Sequence, residues 1–369
     1  MAISIPEFAR RYAAIRAGME HNGLDCLLVY GLADDFNRGN IRYITGYGRG
    51  GCCVFPREGD PIFLMPPNQS KSPKLPKIMA ARELLHLRET PDPTGQVVKE
   101  LARFDRGNRV GIVGLNCIPV PVYLAVNERF PGRVTDAAGI FEKLRVVKSE
   151  EEIALLRKSA AIADDVFTML MKTIRADMSD YDIYGKVKST IFAAGCDYSF
   201  DLIDASGSHL NMTFWPTGEK LKANSTLFLE ITPAYGGYYA QLPVTLPVVS
   251  YPPEIKKMVS VWEQANREAL KILRPGTKVS DLFHALINTV KDSGYISPLR
   301  PGHAIGLDAL DFWSITPDNE VILEPGMVLA VHPCIMTKLW EEGCGLGYTY
   351  LITETGAERF SQVELALLK

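Results

Sequence analysis

Residues 226–249 read TLFLEITPAYGGYYAQLPVTLPVV, two apolar runs of strand-like composition parted by a turn bearing Pro and Gly. The same texture returns in MVLAVH (327–332) and TYLIT (349–353). Amphipathic periodicity predicts helices over 180–193, 254–273 and 280–292. Pro275-Gly276 closes the second of these and Ser280 starts the third. Helices lying between separated strand hairpins predict an α+β domain with a curved antiparallel sheet and covering helices, not a Rossmann unit. No Gly-rich phosphate loop, repeat or low-complexity tract stands out.

Upstream the texture changes. Ser149 followed by Glu152 is a capping box opening a long amphipathic helix with Ile153, Leu156, Ala160, Phe167 and Leu170 toward one side. A boundary just before it gives a domain over 1–145 and a second over 146–369. In the first, the short runs LDCLLVY (24–30), GCCVF (51–55), PIFLM (61–65) and VGIV (110–113) alternate with helix-like segments at 6–19 and 97–104, which predicts a smaller α/β domain.

The 369 residues allow two or three domains; with 47% hydrophobic and 22% charged residues the chain falls outside the collagen-like, disordered and disulfide-scaffold classes. A formal charge of -3 leaves no footprint for phosphate backbones or anionic lipid. The opening MAISIPEFARRYAAIRAGME mixes charge into a helical pattern and lacks a signal-peptide core. No run approaches the ~18 apolar residues of a membrane span. Seven scattered cysteines without CxxC spacing are expected to be reduced core thiols of a cytoplasmic protein.

Chemistry is expected where an apolar run carries an ionisable residue that packing does not require. Glu230 interrupts TLFLEI, Gln241 follows eleven residues later, His303 sits in PGHAIGLD (301–308), and His332 ends MVLAVH. A carboxylate in such a run needs a partner if it is buried, and period-2 alternation alone leaves open whether Glu230 faces solvent.

The motifs GHAIGLD (302–308), LEPGMVLAVHP (323–333) and GLGYTYLITETGAE (345–358) resemble the successive motifs of the creatinase/aminopeptidase-P/prolidase superfamily, whose catalytic domain is the pita-bread fold. RYAAIRAGMEHNGLDCLLVY (11–30) with NIRYITGY (40–47) resembles the family's amino-terminal domain, and RVVKSEEEIALLRKSAAIADD (145–165) its junction helix. Metal-dependent members hold two divalent ions with two Asp, one His and two Glu. On that pattern the first Asp becomes Glu230, the second Gln241, the His stays as His303, the first Glu becomes His332 and the last becomes Gly347.

One carboxylate cannot balance two divalent cations, so a dinuclear metallopeptidase is not expected from the residues. The resemblance to the family's metal-free branch implies a creatinase-like enzyme without a cofactor. It would cleave a small, aromatic substrate by acid–base chemistry, with lyase-type C–C or C–X cleavage preferred to C–N hydrolysis. His303 or His332 would be the general base, Glu230 its partner or the acid, and Gln241 the orienting group. The family's catalytic His before the first Asp falls on Thr213 in SGSHLNMTFWPTGE (206–219), which leaves His209, four residues earlier, as the candidate for that role. Phe214, Trp215, Tyr238, Trp313 and Tyr348 are expected to bind the substrate, and Arg49 resembles an arginine that enters the neighbouring site in creatinase-like homodimers. The first alternative is a mononuclear metal-dependent hydrolase using Glu230, His303 and His332 for one divalent ion. The second is a catalytically inactive binding protein. The expected partners are a small-molecule substrate and a second copy of the chain, with neither nucleic acid nor membrane.

Overall fold

The computed structural model describes residues 3–365. It divides into two compact units, one ending at Val146 and the other beginning at Val147.

In the amino-terminal unit all four apolar runs become strands of one six-stranded mixed sheet. The Leu24–Gly31 strand lies parallel to Arg109–Val113 and antiparallel to Gly51–Pro56. Its side chains are buried on both faces, which is why the run is apolar without alternation from Cys26 to Val29. Cys26, Leu28, Val54, Leu64, Val110 and Ile112 pack with Val97 and Leu101 of the Pro93–Arg103 helix. The Ile5–His21 helix starts where Ser4 accepts the Glu7 N–H.

The second unit opens on the Glu150–Thr173 helix, whose capping box joins Ser149 and Glu152. Helices Asp180–Ala193, Pro253–Ile272 and Val279–Asp292 follow. The last begins after Lys278, so Ser280 lies buried in the first turn and is not the cap expected from the sequence.

Every strand pairing in this unit is antiparallel. The Thr226–Ile231 strand is central between Leu202–Gly207 and Leu242–Pro247. In a second sheet the Gly302–Ala304 strand pairs with Val328–Val331, which pairs with Tyr348–Ile352. The run YYAQLPVTLPVV does not form one strand, because it breaks at Ala240 and Gln241 between Tyr238–Tyr239 and Leu242–Pro247.

At that break the two sheets are stitched together. The Thr349 hydroxyl donates to the Gln241 carbonyl (3.0 Å) and accepts from the Gln241 N–H (2.8 Å). Among the described residues no helix is long and apolar enough to cross a membrane. Among the described residues no disulfide joins any of the seven cysteines.

Candidate active site

The Thr226–Ile231 strand is buried along its whole length, so Glu230 has no solvent face to turn to. Its neighbours across the sheet are Pro243 and Leu202. A carboxylate among such residues requires a donor. The Gln241 side-chain amide supplies it, donating to Glu230 Oε1, while Thr349 fixes the Gln241 backbone.

Burial pushes the Glu230 carboxyl up to about 7. The charge of Arg300 and the Gln241 hydrogen bond pull it down, and the charge of Asp201 pushes it up.

His303 stands at the centre of the Gly302–Ala304 strand, opposite Ala330. Its Nδ1 lies 2.9 Å from the Ala304 carbonyl oxygen. A carbonyl only accepts, so Nδ1 carries the hydrogen and Nε2 keeps its lone pair. His332 follows the Val328–Val331 strand, and its backbone N–H donates to Pro301 (2.8 Å), which binds it to the segment leading into His303. The two rings meet edge to face with centroids 5.2 Å apart.

Burial lowers His303 to about 4, with the Ala304 hydrogen bond and Asp311 opposing and Arg300 adding to the fall. Burial likewise takes His332 well below the ordinary range, helped by His303 and Arg300. Both imidazoles are therefore neutral at pH 7. A base this weak is poorly matched to proton abstraction, whereas a neutral imidazole with an open nitrogen is a metal ligand. His332 Nε2 is that open nitrogen, buried and without a hydrogen-bond partner, and Gln241 Oε1 is a second unpartnered buried atom.

The structure thus brings Glu230 and Gln241 into contact and His303 and His332 into contact, and the charge of Arg300 reaches Glu230 and both histidines. Other expected site residues lie elsewhere. His209 is exposed, bridges to Glu342, and lines a surface trough with Ser206, Lys222 and Asn224. Phe214 rests on Phe200, and Trp215 is 73% exposed, so neither walls a buried space.

Tyr238 is a packing residue. Its hydroxyl donates to Glu152 (2.7 Å) and its carbonyl accepts from Ser159 (2.6 Å), both on the Glu150–Thr173 helix. The Tyr348 hydroxyl is likewise consumed, donating to the Val363 carbonyl (3.1 Å) and accepting from the Leu365 N–H (2.9 Å). Trp313 pairs across from Ala304, while Ser314 pairs with His303, so the pleat turns Trp313 from the His303 side. Arg49 is exposed in a bend after the Gly39–Thr45 helix of the amino-terminal unit.

Two features carried no sequence signal. Arg300 is one polar residue at the start of an unpatterned stretch. Lys148 and Asp311 form a fully buried ion pair (3.3 Å) across 163 residues of chain.

The donor chemistry separates one ion from two. At Gly347, a Cβ would lie 2.4 Å from both His332 Cβ and the Val331 carbonyl oxygen. A side chain at 347 would thus collide with the Cβ and backbone of residue 332, and the acidic groups that two ions need are missing. Two neutral imidazoles, one carboxylate and an unpartnered amide oxygen do suit a single divalent ion. Among the described residues no three His, Cys, Asp or Glu side chains are grouped closely enough to hold an ion as they stand, so loading requires Glu230 and the histidines to draw together.

The profile of metallopeptidase family M24 matches residues 154–354, and that of the creatinase/prolidase amino-terminal domain matches residues 11–147. An uncharacterized peptidase of Staphylococcus aureus (strain USA300) is 25% identical over 227 residues, covering 60% of this chain and 64% of that one. The chain thus spans less than two thirds of the length of the curated relatives it matches. The dipeptidase PepE from Mycobacterium ulcerans superposes with a TM-score of 0.82 at 23% identity, covering 99% of this chain and 98% of that one. The prolidase from Pyrococcus horikoshii OT3 gives 0.82 at 21% identity over 96% and 99%, and the Xaa-Pro dipeptidase from Bacillus anthracis 0.81 at 19% over 97% and 98%. At these identities the structures show a shared fold, the pita-bread domain preceded by an α/β domain.

The metallopeptidase match overturns the expectation of a metal-free, cofactor-free lyase. The same match favours the metal-dependent hydrolase weighed beside it.

Proposed function

We propose, from the premise that this chain belongs to metallopeptidase family M24, that it is a hydrolase of small peptide-like amides working with one divalent ion at Glu230, His303 and His332. The observation that carries this reading is the buried His332 Nε2, neutral, unpartnered and beside a second neutral imidazole. An uncommitted nitrogen in a protein interior is costly unless something binds it.

Within the site, the Ala304 carbonyl holds the His303 ring in the tautomer that presents Nε2. Gln241 orients the Glu230 carboxylate and keeps an amide oxygen free for substrate or ion. Thr349 fixes both by clamping the Gln241 backbone. The ion, when bound, would polarise the scissile carbonyl and make water a nucleophile at neutral pH.

Small peptides are the first substrates to test, since a dipeptidase, a prolidase and an Xaa-Pro dipeptidase share the fold. The same proposal includes a homodimer and, from seven cysteines joined by no disulfide, a reducing cytoplasm.

The test is hydrolysis of a dipeptide panel before and after exhaustive chelation. Turnover should vanish with the metal and return on adding back a single equivalent of Zn, Mn, Fe or Co. His303→Ala, His332→Ala and Glu230→Gln should each lower it more than ~100-fold. Undiminished turnover in the chelated protein would refute the reading.

A further inference from the structure

The Ala304 carbonyl oxygen that holds the His303 ring has a second donor. Besides His303 Nδ1 (2.9 Å) it accepts the Asp311 N–H (2.9 Å), so both of its lone pairs are used. The second bond closes the loop 305–310. Beyond it the chain returns antiparallel to the Gly302–Ala304 strand: the Ala304 N–H donates to Trp313 (2.9 Å) and the Ile315 N–H to Gly302 (2.9 Å). The Asp311 side chain is anchored separately. Its Oδ2 lies 3.3 Å from Lys148 Nζ, with both side chains 1% exposed. Lys148 is fixed in turn, because its N–H donates to Gly326 (2.9 Å) just before the Val328–Val331 strand that pairs with His303. The loop lies directly on the ion pair. At Gly306 a Cβ would stand 2.5 Å from Asp311 Oδ2 and 3.2 Å from Lys148 Cε.

We propose that Lys148 and Asp311 are positioning residues for His303. The ion pair sets the loop, the loop sets the Ala304 carbonyl, and the carbonyl keeps the hydrogen on Nδ1 and the lone pair on Nε2. Stability alone does not call for such a pair, since apolar side chains of similar volume fill a buried site as well or better. What the two charges add is register: they fix Asp311 against Lys148, and through its N–H they fix the carbonyl that reads the ring. Without the pair the carbonyl is free to turn from the imidazole, and the hydrogen moves to Nε2 in part of the population. The use of that lone pair as a metal ligand rests on the hydrolase reading, whereas the tautomer is a property of the metal-free chain and is measured without turnover.

The experiment is long-range proton–nitrogen NMR on the full chain, labelled with 15N-histidine, stripped of metal and held at pH 8. The two ring nitrogens of a neutral imidazole have well-separated shifts that exchange places between tautomers, and His303→Ala identifies the His303 signals among those of six histidines. The wild type should show the Nδ1–H form. Replacing the pair with Lys148→Met and Asp311→Leu together should bring the two shifts toward each other, as the excess of Nδ1–H falls about 10-fold, the weight of one hydrogen bond. Gly306→Ala leaves both charges in place but sets a methyl group against Asp311 Oδ2, and it should act in the same direction. Lys148→Arg, which keeps the cation, should keep most of the wild-type excess. Wild-type shifts in either the double variant or Gly306→Ala, with cooperative unfolding showing the protein folded, would overturn the assignment, as would an Nε2–H form in the wild type. Zinc titration of the same proteins separates this proposal from the hydrolase reading. Where the wild type takes up zinc, the variants should bind it about 10- to 100-fold more weakly. A tautomer that follows the ion pair in a chain that binds no zinc would count against the metal site and in favour of the positioning role.

Discussion

Glu230 keeps its proton over a pH range in which a water-exposed glutamate has lost it. Its folded-state value of about 7 lies above the ordinary 4.5 because burial disfavours the anion. Below about 4.5 both folded and unfolded chains carry the proton; between the two values only the folded chain does, so raising the pH through this window removes stability. Glutamine has no proton to lose. In metal-stripped protein, Glu230→Gln is therefore expected to gain stability relative to wild type from pH 5 to pH 8, by on the order of 3 kcal/mol. Urea titrations across that range measure it, and a difference that stays flat with pH would show that Glu230 is ionised in the folded protein. At this scale the two contacting pairs, Glu230 with Gln241 and His303 with His332, involve residues that stand out in the sequence because they break apolar runs. Arg300 was not, since an isolated charged residue breaks no pattern. Tyr238 was misplaced because its hydroxyl partner, Glu152, is 86 residues away in sequence.

Among the elements, the ends of strands do the positioning. His332 lies one step past Val331, and Gln241 one step before Leu242, so each side chain leaves a paired strand whose register is fixed. Those ends could not be read from composition, because YYAQLPVTLPVV has strand-like residues on both sides of Gln241 and the partner that holds the backbone there is Thr349 on another strand. Gly347 belongs to the same construction. Its N–H donates to Pro243 (3.1 Å), and its hydrogen faces His332, where a methyl group would collide with Cβ and backbone. Gly347→Ala is expected to destabilise the protein by about 1–3 kcal/mol through overpacking. Chemical denaturation checks this, and wild-type stability in the variant would mean that His332 has room to move. A helix boundary shows the opposite failure: Ser280 is a good cap by residue type, but buried packing of Val279 and Ser280 draws the helix start back to Lys278.

At the scale of the molecule, the fold was readable almost throughout, because its signals are long-range in sequence and redundant. A capping box at Ser149, four apolar runs before it and separated hairpins after it all point to the same two-part arrangement. Cofactor use was not readable in that way. It depends on whether a handful of donors can be drawn to one point, and residue counting favoured the metal-free branch, against the metallopeptidase family that the chain joins. The proposed single ion in place of a pair would reconcile the inherited scaffold with the altered ligand set. The direct test is metal content by elemental analysis after stripping and reloading, on the wild type and on His332→Ala and Glu230→Gln. One equivalent per chain in the wild type, lost in both variants while they remain folded, is the expected result; two equivalents, or none under any loading condition, would contradict it.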